Sequence, residues 1–221
     1  MPKAKSKKNK EEIIELCMAH LAVNGFDQSI KDLCKATKIK KSQFRSEFGS
    51  IKKFEEFVWH ELMHAAISTA SEDPQFSGFS KRDKLLSLYY TFFENCGLNN
   101  AFLKQSVKHH GRAGMINVLK PLKKEFLIFI SSIHRLSLPI GKQYEESISK
   151  IAKIGVGEAF YGQFLFLLDF WAQDTSNGYE KTDIAIEKTV KASMDILDVT
   201  PIKSMIDFAK FVWQERLSNT L

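Results

Sequence analysis

Cysteine is scarce in this 221-residue chain, and the three present (Cys17, Cys34, Cys96) are scattered. That rules out a disulfide framework. Each lies among apolar, helix-forming neighbours, so all three are expected to be buried thiols of a reducing cytoplasm. Long hydrophobic runs are also missing. The longest, at 126–130 and 164–170, fall far below the roughly 20 apolar residues that a membrane helix needs. Lys3, Lys5, Lys7, Lys8 and Lys10 are followed by no apolar segment, so no signal peptide is expected. The period-two alternation of a half-buried strand is absent as well, and the breakers come in clusters. A membrane partner and a secreted, disulfide-stapled fold are therefore excluded; a cytoplasmic, all-α protein is expected.

Positive charge, by contrast, is present and unevenly placed. Residues 1–60 hold 13 Lys/Arg against 8 Asp/Glu, whereas residues 61–221 hold 19 against 18, so nearly all of the net +6 sits in the first quarter of the chain. A concentrated basic patch is the electrostatic footprint of a phosphate-binding surface. Lys3 to Lys10 alone would fit a solvated tail. Lys38, Lys40, Lys41, Arg45, Lys52 and Lys53, however, lie within periodic, structured sequence.

Apolar periodicity predicts a first helix over about 9–23, stopped at Asn24-Gly25. Ser29 reads as an N-cap with Asp32 three residues on, opening a short helix to about Thr37. A tight turn at Lys38-Ile39 leads to another short helix, 41–48, and Gly49-Ser50 breaks the chain before a long helix, 51–70. Residues 72–80 read as a linker. Further helices are expected at 81–96, 99–109, 113–136 (broken or kinked at Pro121), 144–173, 182–197 and 200–217. Three organisational units follow: 1–8, a basic flexible tail; 9–52, a helix-turn-helix; and 53–221, a helical body.

Three helices, the second and third short and closely joined, have the size and rhythm of a helix-turn-helix. The third buries Phe44 and Phe48 and offers its polar side to a groove wide enough for one helix. Gly25-Phe26, then 29–36 (SIKDLCKA), 39–44 (IKKSQF) and Phe48-Gly49-Ser50 resemble the TetR/AcrR signature over residues 9–58. That resemblance implies an all-α TetR-like fold, an N-terminal DNA-binding domain and a C-terminal effector-binding and dimerisation domain. It implies DNA contacts from Ser29, Lys31, Lys40, Lys41, Ser42, Gln43, Arg45, Ser46, Lys52 and Lys53. Lys38 stands where the family has its turn glycine, Arg45 where it often has a phosphate-binding tyrosine, and Ile51 where it has a lysine. Double-stranded DNA, a homodimeric partner and a hydrophobic small-molecule effector are the partners implied, with no cofactor and no enzymatic activity. A TetR-fold lipid or small-molecule binder without DNA binding is the alternative.

One motif points elsewhere. His60-Glu61-x-x-His64 is the zincin pattern, in which histidines at i and i+4 face one zinc and the glutamate activates its water. A third histidine six residues on would fall at Ala70, and glycine is missing at Ile67. Glu94 can be proposed as a glutamate ligand, but nothing near it supports that, and no strand is visible to hold a substrate. Two partly exposed histidines on a helix with the apolar stripe Phe54, Phe57, Val58, Leu62 and Ala65 are the plainer reading; no metal site is assigned, and a zinc metalloprotease is the remote alternative.

Thirteen of the eighteen phenylalanines lie beyond residue 75. Tyr89, Phe92, Phe93, Phe102, Phe126, Phe129, Phe160 and Phe164, with His109, are the candidate lining of an effector pocket suited to a bulky apolar molecule. Gly155, Ala159 and Gly162 place small residues on one face of the 144–173 helix, where another helix can approach closely. With Ile151 and the stripe Ile186, Val190, Met194 and Leu197, they are the candidate dimer interface.

Overall fold

Short polar side chains set the helix starts. Asn9 accepts a hydrogen bond from the Glu12 amide at 2.7 Å, and the Glu12 carboxylate accepts one from the Asn9 amide at 3.0 Å. This capping box opens α1 (Lys10–Asn24). Ile13, Cys17 and Leu21, four apart, are fully buried along one face. Gly25 ends the helix at φ 73°, a backbone region that favours glycine. Ser29 caps α2 (Ile30–Thr37) through the Asp32 amide. Lys38 then takes the left-handed conformation at φ 55°. Without glycine there, the turn costs about 1 kcal/mol, yet it still delivers α3 (Lys41–Glu47) across α2. Ser50 caps α4 (Ile51–Glu72), about 33 Å long.

The computed structural model describes residues 8–133 and 142–198, with side chains for 8–133 and 155–196. Lys3, Lys5, Lys7, His134 and the expected 200–217 helix lie outside the described residues. After α4 and a 3-10 turn at Phe76–Gly78 come α5 (Lys81–Leu98), α6 (Asn100–Val118), α7 (Lys120–Ile133), α8 (Lys142–Gln173) and α9 (Glu180–Asp198). Among the described residues there is no strand, as the all-α expectation required.

The expected break at Pro121 falls two residues earlier, at Leu119. Pro121 is then the second residue of α7, where its missing N–H removes no helical hydrogen bond. A second interruption lies inside α6 at Gly111 (φ 60°, ψ 179°). The apolar stripe of α4 is also rotated from the expected one. Phe54, Glu55, Val58, Trp59, Met63, Ala66 and Ala70 are buried, Phe57 and Leu62 only partly, and Ala65 is exposed. The reason is that α4 packs against α5, α6 and α7 together, so more than one face is covered.

The core is continuous from the first three helices into the body. Phe44, Phe48 and Phe54 meet with ring centroids 4.9–6.0 Å apart. Phe102 of α6 bridges to both Phe54 (6.1 Å) and Phe26 (5.4 Å). Farther back, Phe92, Phe126 and Phe164 are fully buried together. Each such phenylalanine contributes about 2–3 kcal/mol of burial free energy.

Candidate nucleic-acid interface and the helical body behind it

Packing decides which side chains of α3 are free. Phe44 is wholly buried and Phe48 nearly so, which turns Lys41, Ser42, Arg45 and Ser46 outward. Lys40 precedes them, and Ser29 and Lys31 of the α2 start, with Lys52 and Lys53 of α4, are exposed as well. Among the described residues, Lys31, Lys40, Lys41, Arg45 and Lys53 have no ion-pair partner; Lys52 has Glu56 at 3.8 Å. Two serines are already engaged: Ser29 caps α2, and Ser46 donates to the Gln43 carbonyl at 2.9 Å. Gln43 departs from expectation. It is only 8% exposed and donates to the Lys8 carbonyl, because the chain ahead of α1 crosses that part of α3. Gln43 therefore holds the chain at Lys8 against α3, rather than standing free as a reader. Lys10, just beyond, sits over the Phe57 ring at 4.3 Å.

Behind this face, α4 is tied to the body by a buried polar cluster that sequence reasoning missed. Glu55 is 1% exposed. Ser106 donates to its Oε1 at 2.6 Å, His110 Nε2 stands 2.9 Å from its Oε2, and Trp59 Nε1 donates to Ser106 Oγ at 3.0 Å. A carboxylate on the buried face of α4, one turn from Trp59, was the available signal. His109, expected in the effector pocket, lies instead at this junction, with its ring 5.5 Å from Phe26 and Nδ1 3.6 Å from Asp27. Phe102 belongs to the junction too.

The His60-Glu61-x-x-His64 motif is taken up between helices. His64 Nδ1 lies 2.7 Å from Glu125 Oε1 and His60 Nε2 lies 3.3 Å from Oε2, so the two imidazoles flank one carboxylate of α7. The hydrogen bond to Glu125 and its negative charge hold the His64 pKa above 6.5. Glu94 faces α9 rather than α4. Among the described residues no group of three His, Cys, Asp or Glu side chains is placed to hold a metal ion.

The remaining aromatic candidates divide. Tyr89, Phe92, Phe93, Phe126 and Phe164 share ring contacts with Tyr161 and Trp171. Phe160 offers its carbonyl to the Tyr89 hydroxyl at 3.4 Å. Phe129 instead meets Phe76 of the α4–α5 connection at 6.3 Å. Polar atoms are embedded in this apolar interior. Tyr89 Oη donates to Gln163 Oε1 at 3.2 Å, while Tyr161 Oη and Gln163 Nε2 are buried without a hydrogen-bond partner among the described residues. Burial pushes the Tyr161 hydroxyl up to about 12, with the Glu158 charge adding to it.

Of the interface candidates, Gly155, Ala159 and Gly162 lie on the exposed side of α8, alongside Phe166 at 52% exposure. Ile186 and Val190 do not join them. Both are fully buried in the chain's own core, where α9 packs on α5 and α8, so they are unavailable to a second chain. Met194 is partly buried against that core. Only the backbone is described at positions 151 and 197, so the Ile151 and Leu197 side chains lie outside the described residues.

A compact three-helix head with an outward basic helix, carried on a longer helical body, defines a regulator-type architecture. The family described as tetracyclin repressor-like, C-terminal domain, matches residues 84–212, more than half of the chain. The chain belongs to the TetR family of regulators, whose members are generally not enzymes. No curated protein matches it. Among the described residues, no helix is long and apolar enough to cross a membrane.

Proposed function

We propose that this protein is a ligand-responsive transcriptional repressor that binds a palindromic duplex as a homodimer. The observation that carries the reading is the state of α3. Lys40, Lys41 and Arg45 stand exposed and unpaired on one helix whose phenylalanines are locked into the core, an arrangement suited to phosphates and base edges. Residues 9–52 form the reading head and 53–221 the sensing and dimerising body. The exposed strip Gly155, Ala159, Gly162 and Phe166 of α8 supports pairing with a second copy. Among the described residues, a Cβ at Gly155 or Gly162 would meet nothing within 4 Å, which leaves room for a partner helix to approach. The aromatic interior around Tyr89, Tyr161 and Gln163, with two polar atoms left over, supports a largely apolar effector carrying one or two polar groups. An effector favouring a body conformation with the wrong head spacing lowers DNA affinity by that difference.

Selection of bound sequences from a random duplex library at physiological salt tests the reading. It enriches a two-fold symmetric site with half-sites about 34–36 Å apart or a multiple of that. A folded, dimeric protein that enriches no sequence overturns DNA reading and leaves the interior, as a lipid or small-molecule binder, as the function.

A further inference from the structure

A concave site lies at the edge of the aromatic interior, with which it shares Phe93. A half-open cleft of about 340 Å³ runs between α5, the Asn177–Tyr179 turn and the start of α9. That volume is at the lower end of the range for small-ligand sites, about 300–1,000 Å³. Its walls are aromatic: Tyr90 and Phe93 from α5, and Tyr179 from the turn. Its polar rim carries Glu94 from α5 and Asp183 from α9, and no lysine or arginine lines it. In a chain of net charge +6 that is an unusual grouping. Neither carboxylate has an ion-pair partner among the described residues. A third, Glu187, accepts the Tyr90 hydroxyl at 3.1 Å.

From this cleft we infer a binding site for a small organic cation, an ammonium group attached to an apolar or aromatic body. Aromatic faces and uncompensated carboxylates are the two features that recognise such a molecule, one by cation–π attraction and the other by direct charge pairing. The chain already holds an ammonium this way nearby, since Lys104 Nζ lies 4.8 Å from the Tyr179 ring centroid and 5.4 Å from that of Trp171. Tyr179 is set for the role by the backbone. It follows Gly178 and itself takes φ 63°, and Gly97 opposite leaves room for its ring: a Cβ there would come 3.3 Å from Tyr179 Cε2. Carboxylates predominate on the α5 and α9 sides of the cleft, while the Lys104 ammonium stands against the Tyr179 side. Burial, then Asp174, Glu187 and Glu180, push the Asp183 carboxyl up, while burial and Glu187 push the Tyr90 hydroxyl up to about 12. Arg82, two turns back along α5, opposes this at Tyr90 but does not enter the wall. An acid in the first turn of α9 is also favoured by the helix dipole. That accounts for Asp183, but not for Glu94 on another helix or for the three aromatic walls.

The test uses the full chain without DNA, so it stands or falls independently of the repressor reading. Benzyltrimethylammonium is titrated calorimetrically, with benzyl alcohol as the neutral comparison and benzoate as the anionic one. The cation is expected to bind once per chain, with Kd of about 1 mM or tighter, and neither comparison compound is expected to saturate. Glu94→Gln with Asp183→Asn weakens binding about tenfold or more, with melting behaviour unchanged. Glu94→Gln alone, at an exposed and unpaired position, serves if the double variant does not fold, and should weaken binding severalfold. No saturation by the cation at 20-fold above about 1 mM overturns the site. So does equal binding by the carboxylate variants, which would put the cation elsewhere, or equal binding of benzyl alcohol.

Discussion

The head and the body bury polar groups in opposite ways. In the head, the buried Thr37 donates to Leu33 one turn back, and Gln43 is satisfied by the Lys8 carbonyl. Both bonds go to backbone, and every unpaired charge faces outward. In the body, buried polar groups join different elements: Glu55 to Ser106 and His110, Tyr89 to Gln163, Asp174 to Thr182. Among the described residues, Glu125 Oε2, Tyr161 Oη, Gln163 Nε2 and Trp171 Nε1 have no hydrogen-bond partner. A head built this way keeps its basic side chains at the surface, as the proposed DNA reading requires. A body built this way holds polar contacts between elements, which is where the proposed effector would act.

Several substitutions sharpen or break that contrast. Phe164→Ala removes the ring at the centre of the body, where four aromatic neighbours meet it. It should cost about 3–5 kcal/mol in urea unfolding; a loss below about 1 kcal/mol would mean a loosely packed interior. Glu55→Ala comes next, at about 2 kcal/mol, because it leaves the buried Ser106 hydroxyl and the partly buried His110 without their acceptor. Adding His110→Ala should then cost little more, and a fully additive double variant would deny that the cluster acts as a unit. Thr37→Val in the head, where only one local hydrogen bond is removed, should cost about 1 kcal/mol.

The smallest effect is the pH dependence of the α4–α7 contact. The folded-state pKa of His64 is raised above 6.5 by Glu125. Its stabilisation is therefore fully present below pH 6.5 and is lost as pH rises through the folded value. Melting temperature should fall slightly over that interval, and His64→Gln should remove the slope.

Local chemistry was legible in the sequence. Ser29 with Asp32 and Gly25 marked boundaries that the helices respect, because a cap is decided within three or four residues. The helix-turn-helix was legible for the same reason. What periodicity does not specify is the neighbour. It marked Ile186 and Val190 as an apolar stripe but not that α5 and α8 of the same chain cover it. Gln43 looked exposed because its partner, the Lys8 carbonyl, is 35 residues away. The zincin motif looked open because Glu125, 61 residues beyond His64, is brought to it only by packing of α7 on α4.

The most direct test of the account is the salt dependence of duplex binding by the wild-type protein, Lys41→Ala and Arg45→Ala, followed by fluorescence anisotropy on a selected palindrome. For the wild type, log Kd should rise steeply and linearly with log salt. Each substitution should weaken binding at low salt and reduce the slope by about 0.9 for every phosphate that a subunit no longer neutralises. Unchanged affinity and slope in both variants would contradict the assignment of α3 as the DNA-reading helix.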